Sequence, residues 1–292
     1  MRERRLNTNR VKLTSYQSLH AFEQATAIEN GYLSVAYNEY PIDLNIRRGT
    51  SGVMVVVFHA ALAGTFQYPV FHGLGMLKNL DVTRVSISDP TIGQTDLSLG
   101  WYAGNNRQPA LQQVTYRIIK KLSVLADTPH VVFFGASGGG FAALQSSRQF
   151  ENSLAIPINP QTSIEQYLPL AVKRYLNQAW GGEQIANIAA EHNLQRAYED
   201  GSSNTVAYVQ NKRDSFHIDN HESPFLSRIA KPGQVWSLTG TWGDNPKNKH
   251  VAPPKDRLRE IMEEVSRSSG RWQLALQALG FVSATERLKA II

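Results

Sequence analysis

The chain has 292 residues, 42% of them hydrophobic and 18% charged, with a formal net charge of +6 and no cysteine. These are globular values with room for one large α/β domain, and no apolar run is long enough to span a bilayer. The missing cysteines exclude disulfides, thiolate metal sites and a cysteine nucleophile.

Part of the positive excess lies in Arg2, Arg4, Arg5, Arg10 and Lys12. Residues 1–30 show no clean periodicity and read as a basic arm that ends in a short helix at about 16–29. The arm is either a plain solvated tail or a patch for an acidic surface. An export signal would need an apolar stretch after these charges, but residues 13–23 are polar and mixed, so the expected compartment is the cytoplasm.

Residues 32–37 and 42–46 alternate apolar and polar on either side of Pro41, which predicts two antiparallel edge strands joined by a turn. Residues 53–58 are unbroken apolar, as in a central strand covered on both faces. His59, just after it, reads as a residue that braces a loop. Residues 82–88 predict the next parallel strand, ending at the turn starter Asp89-Pro90. A long polar, glycine-bearing loop then covers 91–107, and loops of that length in compact domains are more often functional than idle. Within it, Trp101 and Tyr102 either line an acyl or sugar pocket or anchor the loop. Leu111, Val114, Ile118, Leu122 and Leu125 give residues 108–126 the spacing of an amphipathic helix.

An apolar β-type run, Val131-Val132-Phe133-Phe134, breaks at Gly135-Ala136-Ser137-Gly138-Gly139 and resumes as small helix formers. This is strand, sharp turn, helix, and the turn satisfies G-x-S-x-G. A side chain at Gly135 or Gly139 would meet neighbouring backbone in so tight a turn. The free amides at the start of the helix, that of Gly138 included, would face an oxyanion formed beside Ser137. Dinucleotide fingerprints fit poorly, because Ser137 stands where G-x-G-x-x-G needs glycine. A glycine turn without chemistry is the remaining alternative.

Residues 154–160 predict a strand that Pro157 marks as short or edge-exposed. Helical patterns follow at 167–180 and 185–198, separated by Gly181-Gly182. A strand at 205–210 leads into Asn211-Lys212-Arg213-Asp214. The last strand is expected at 235–238, and the loop after it carries Asp244 and His250. Pro254 suits the first turn of a helix at 255–265, and 272–291 reads as a closing helical segment.

The elbow resembles that of the α/β-hydrolase family, and the chain order Ser137, Asp214, His250 matches that family's order of nucleophile, acid and histidine. The resemblance implies a mostly parallel sheet flanked by helices over residues 31–292, with a helical cap at about 163–200. It also implies a second oxyanion amide just after the 53–58 strand, carried onto Ala61 with Ala60 as the alternative. Asn211 departs from the glycine usual in the acid loop. Asp244 and Asp219 compete with Asp214, and His217 and His221 compete with His250. The expected activity is that of a serine hydrolase or acyltransferase on an ester or thioester, with no cofactor.

The glycine run before Phe141, together with Trp101 and Tyr102, also resembles hydrolase-like proteins of bacterial surface-glycan assembly and accessory secretion. That likeness implies acetyl chemistry on a glycan, or alternatively a non-catalytic partner protein. No metal site is expected, since His217 and His221 lack the H-E-x-x-H pattern. No nucleic-acid partner is expected either, since no groove-reading motif accompanies the charge.

Overall fold

The computed structural model describes residues 1–38, 40–245 and 249–291. In chain order the elements are β1 (Leu13–Tyr16), α1 (Leu19–Glu23), β2 (Gly31–Tyr37), β3 (Tyr40–Arg47), β4 (Val53–Phe58), β5 (Thr83–Ile87), α2 (Pro90–Gln94), α3 (Leu111–Leu125), β6 (His130–Ala136), α4 (Gly138–Ser147) and β7 (Leu154–Ile158). They continue with α5 (Pro169–Trp180), α6 (Leu194–Ala197), β8 (Thr205–Asn211), α7 (Ser215–His217), α8 (Ser223–Leu226), β9 (Val235–Gly240), α9 (Lys255–Arg267), α10 (Trp272–Ala278), β10 (Val282–Ser283) and α11 (Ala284–Lys289).

All ten strands form one sheet in the order β1-β2-β3-β5-β4-β6-β7-β8-β9-β10. From β5 to β9 every neighbouring pair is parallel. The order reverses at β4: β5 lies on one side of it and β6 on the other. Open α/β sheets form their sites beyond the carboxyl ends of the strands at such a switch. The unbroken apolar run of β4 has its physical reason here. Met54, Val56 and Phe58 pack into the core on one face, and Val53, Val55 and Val57 into the core on the other.

Several local expectations are corrected. Residues 1–30 are not a free arm, because β1 pairs in parallel with β2 and extends the sheet. Arg4 donates two hydrogen bonds of 2.7 Å to the buried Asp43 carboxylate, and Arg2 donates to the carbonyls of Thr95 and Leu97. Two of the basic residues are thereby used inside the fold. The helix expected at 16–29 shrinks to α1, started by Ser18, whose hydroxyl accepts from the Ala21 amide.

Strands β2 and β3 are interior, flanked by β1 and β5. Pro41 belongs to β3, opposite Ala36 and one pair in from the hairpin turn, where a missing N–H costs little. Pro157 likewise sits in an interior strand. The β7 to β8 ladder pairs Ala155 with Val206 and Ile158 with Val209 and skips the two residues between, so the absent donor falls in a gap.

Helix α5 forms as expected, burying Val172, Tyr175, Ala179 and Trp180 and ending at Gly181 with φ 67°. The helix expected at 185–198 is reduced to a single 3-10 turn at Ile185–Asn187 and the short α6. Backbone bonds from Ile164 to the His192 carbonyl and from Leu194 to the Thr162 carbonyl hold that segment against a loop instead. The 235–238 strand is not the last: β10 pairs antiparallel with it and divides the closing helical segment into α10 and α11.

Candidate active site

Ser137 sits between β6 and α4 with φ 55° and ψ −120°, a backbone conformation costly for any residue with a side chain. The glycines around it are needed for close approach. A Cβ on Gly135 would lie 2.2 Å from the Gly139 carbonyl oxygen, and one on Gly139 would lie 2.6 and 2.7 Å from the carbonyl oxygens of Phe58 and His59. The second contact shows how closely the elbow helix is pressed against the loop that follows β4. Among the described residues, none of the amides of Gly138, Ala60 and Ala61 donates a hydrogen bond within the chain.

That loop is braced by His59 and Tyr102. The His59 ring donates from Nδ1 to the Ala60 carbonyl at 2.9 Å and accepts the Asp89 amide at Nε2, at 3.2 Å. Burial pushes its pKa down to about 4, so the ring is neutral at ordinary pH. The Tyr102 hydroxyl accepts the His59 amide at 2.8 Å and donates to the Ile87 carbonyl at 2.9 Å, tying the ends of β4 and β5 together.

Of the two readings of Trp101 and Tyr102, pocket lining or loop anchor, their hydrogen bonds and burial fit the anchor. Tyr102 is 5% exposed with its hydroxyl fully engaged, and Trp101 is 1% exposed, with its indole N–H donating to Gln161 Oε1 at 3.2 Å. The cavity beside the candidate site, about 320 Å³, is lined instead by Tyr167, Leu168, Phe216 and Lys249 together with Asp214, His217 and His250. A larger recess of about 690 Å³ lies at the other end of β6, around Asp127 and Phe150, far from Ser137.

Asp214 follows β8 and caps α7. Its Oδ2 lies 2.6 Å from His250 Nδ1, and its Oδ1 lies 3.0 Å from His217 Nδ1. Burial alone would push this carboxyl up, but the hydrogen bonds from the two histidines outweigh it and hold the group well below the ordinary carboxylate range. Asp219 and Asp244 are exposed, and neither contacts His250 among the described residues.

Asn211, where the family would have glycine, clamps the histidine loop. Its side-chain amide donates to the carbonyls of Trp242 and Val251, and Asn159 Nδ2 donates to the same Val251 carbonyl at 3.0 Å. Val251 adjoins His250, so the ends of β7 and β8 fix the imidazole's anchor point. Residues 246–248 of this loop lie outside the described residues.

Sequence reasoning missed Gln161. Its Nε2 donates to Ser137 Oγ at 2.9 Å and lies 3.0 Å from His217 Nε2. It also treated His217 as a competitor of His250 or, with His221, as a pair lacking the metal-binding pattern, whereas the structure places both His217 and His250 on Asp214 with their ring centroids 4.0 Å apart. For metal binding, Asp214, His217 and His250 offer one ligand atom each within 4.8 Å of one another, a donor set of zinc type that the sequence reading had not expected. Burial pushes the pKa of His217 down, against the opposing hydrogen bond to Asp214.

No protein-family model matches the chain, and no curated protein matches it in sequence. Its backbone is similar to that of the capsule O-acetyltransferase of Neisseria meningitidis serogroup A, at 15% identity and a TM-score of 0.58, over 80% of this chain and 96% of that one. A variant of that enzyme in complex with CoA matches at 16% identity and a TM-score of 0.58, over 80% and 98%. An S-formylglutathione hydrolase from Agrobacterium tumefaciens matches at 14% identity and a TM-score of 0.54, over 85% and 96%. The chain has the α/β-hydrolase fold that the elbow implied.

Proposed function

We propose that the chain is a serine acyl-transfer enzyme in which Ser137 is the nucleophile, His250 the general base and Asp214 the group that orients it. The observation that carries this reading is the 2.6 Å contact between Asp214 Oδ2 and His250 Nδ1, made at the same strand ends that hold the strained Ser137 elbow. A serine hydroxyl is a weak nucleophile until a neighbouring base takes its proton and a third group holds that base in the right tautomer. In the proposed cycle His250 Nε2 accepts the Ser137 proton as Oγ bonds to the carbonyl carbon, then returns it to the departing alcohol or thiol. Water or an acceptor alcohol next gives its proton to His250, attacks the acyl-enzyme, and releases Ser137 with that proton. The amides of Gly138 and of Ala61 or Ala60 would face the carbonyl oxygen as it gains charge.

The substrate class we propose is an ester or thioester, with the acetyl groups of a bacterial glycan as the specific case. The fold shared with a capsule O-acetyltransferase supports this, and because a variant of that enzyme is in complex with CoA, whose thiol carries acyl groups as thioesters, the proposal includes a thioester donor. Residues 163–200, with α5 and Tyr167 beside the cavity, are proposed as the cap. Cytoplasmic location belongs to the same proposal and is tested by fractionation.

The direct test is a fluorophosphonate probe followed by peptide mapping. The wild type should be labelled on the peptide containing Ser137, and Ser137→Ala should not be labelled. Labelling that survives the substitution moves the nucleophile elsewhere, and an unlabelled wild type favours a binding protein on a hydrolase scaffold.

A further inference from the structure

We propose that Gln161 is a catalytic hydrogen-bond donor to the nucleophile's oxygen and that His217 positions it, an inference that rests on Ser137 being the nucleophile. The direction of the amide follows from its partners. Trp101 Nε1 can only donate, so the atom it meets at 3.2 Å must be the Gln161 carbonyl oxygen, which turns the NH₂ group toward Ser137 and His217. One N–H then donates to Ser137 Oγ at 2.9 Å and the other to His217 Nε2 at 3.0 Å. For Nε2 to accept, the His217 proton must sit on Nδ1, where it donates to Asp214 Oδ1 at 3.0 Å. The assignment closes without conflict. Gln161, Trp101, Ser137 and His217 are all at most 5% exposed, so an amide that rotated away would leave buried groups unpaired.

This donor serves an atom that the backbone amides do not. In the proposed site the amides of Gly138 and of Ala61 or Ala60 would face the carbonyl oxygen, whereas Gln161 bonds Oγ itself. As the Ser137 proton passes to His250, negative charge grows on Oγ before the new carbon–oxygen bond is complete, and the Gln161 N–H stabilises it. In deacylation Oγ is the leaving atom, and the same bond stabilises it as the acyl group departs. Gln161 keeps its protons throughout. While its Nε2 accepts from Gln161, His217 has no site left for the Ser137 proton, which leaves His250 as the base.

The test compares wild type with Gln161→Met, Gln161→Glu, His217→Phe and His217→Gln. The readouts are the rate constant of fluorophosphonate labelling per titrated site and kcat and KM on p-nitrophenyl acetate. Gln161→Met should lower the labelling rate and kcat by about tenfold to a hundredfold, with KM changed less than about twofold. The isosteric Gln161→Glu, an acceptor in place of a donor, should lose at least as much and covers the case in which Gln161→Met does not fold. His217→Phe should lose roughly what Gln161→Met loses. His217→Gln, able to accept from Gln161 and donate to Asp214, should restore most of that loss. Rates per titrated site within about threefold of wild type in both Gln161 variants would overturn the proposal. A merely structural role would reduce the number of titrated sites and leave the rate at each unchanged, which overturns it too. A wild type that is not labelled at Ser137 fails before any variant is compared, and it removes the nucleophile reading together with this one.

Discussion

His217 and His250 stack with their ring centroids 4.0 Å apart and their planes at 22°, and each turns its Nδ1 toward the same carboxylate, that of Asp214. Two imidazoles with one carboxylate raise the question of which is the base. Since His217 Nε2 faces Gln161, His250→Ala should lower kcat by about three to four orders of magnitude and His217→Ala by about one to two. Turnover of p-nitrophenyl acetate decides it, and the reverse ranking would make His217 the base.

Asp214 serves both rings, so its loss should cost at least as much as that of a simple orienting group. Asp214→Asn is expected to cut kcat about 10⁴-fold, because the amide can present an N–H to one ring where that ring needs an acceptor. Asp244→Asn should leave kcat within about twofold. Near wild-type turnover in Asp214→Asn would remove the residue from the mechanism.

Tyr102 separates an anchor from a pocket wall. Tyr102→Phe strips the Ile87 carbonyl of a donor and the His59 amide of an acceptor, both buried, and should cost about 2–4 kcal/mol in urea unfolding. KM should hardly change. Tyr167→Ala, on the cavity wall, should instead raise KM with little loss of stability. A large rise in KM for Tyr102→Phe alone would return that residue to the pocket.

Acid stability follows from His221, which is fully buried, with its pKa pushed down to about 3 by burial and secondarily by neighbouring His217. An unfolded histidine titrates near 6.5, so between these values the unfolded chain holds a proton that the native chain refuses. The stabilisation from keeping His221 neutral is present above pH 6.5 and is lost as pH falls, by up to about 1.4 kcal/mol per unit. His59, lowered to about 4, adds to that slope, and Asp89, raised by burial to about 6, works against it in the lower part of the window. Urea titrations between pH 6 and pH 4 should show His221→Gln with a slope shallower by about one proton. Equal slopes in the two proteins would sink the assignment.

The features legible in the sequence are the ones written in local pattern. Apolar runs gave β4 and β6, glycine on both sides of Ser137 gave the elbow, and the order of elements placed Asp214 and His250 after successive strands. Gln161 carries no such pattern. It is one polar residue after Pro160, and its importance arises only because the Ser137 amide donates to the Ile158 carbonyl and the Gln161 amide to the Ser137 carbonyl, folding two strand ends together. The roles of Asn211 and Asn159 are also long-range, since both reach a carbonyl on a loop distant in sequence. Trp101 and Tyr102 left two readings open for a related reason: an aromatic pair in a polar loop suits a lining or an anchor equally, and only the backbone, with φ values of 53° and 56°, places both in the core.

The two outermost strands of the sheet are short, four residues in β1 and two in β10. Unpaired backbone along a sheet margin is what recruits a foreign strand, and long flat margins invite domain swapping and fibril growth. Here the broad ten-stranded sheet offers very little of it. If copies of this protein associate, the contact should be made by side chains on the helical layers, and resistance to edge-to-edge aggregation should last as long as β1 and β10 stay docked.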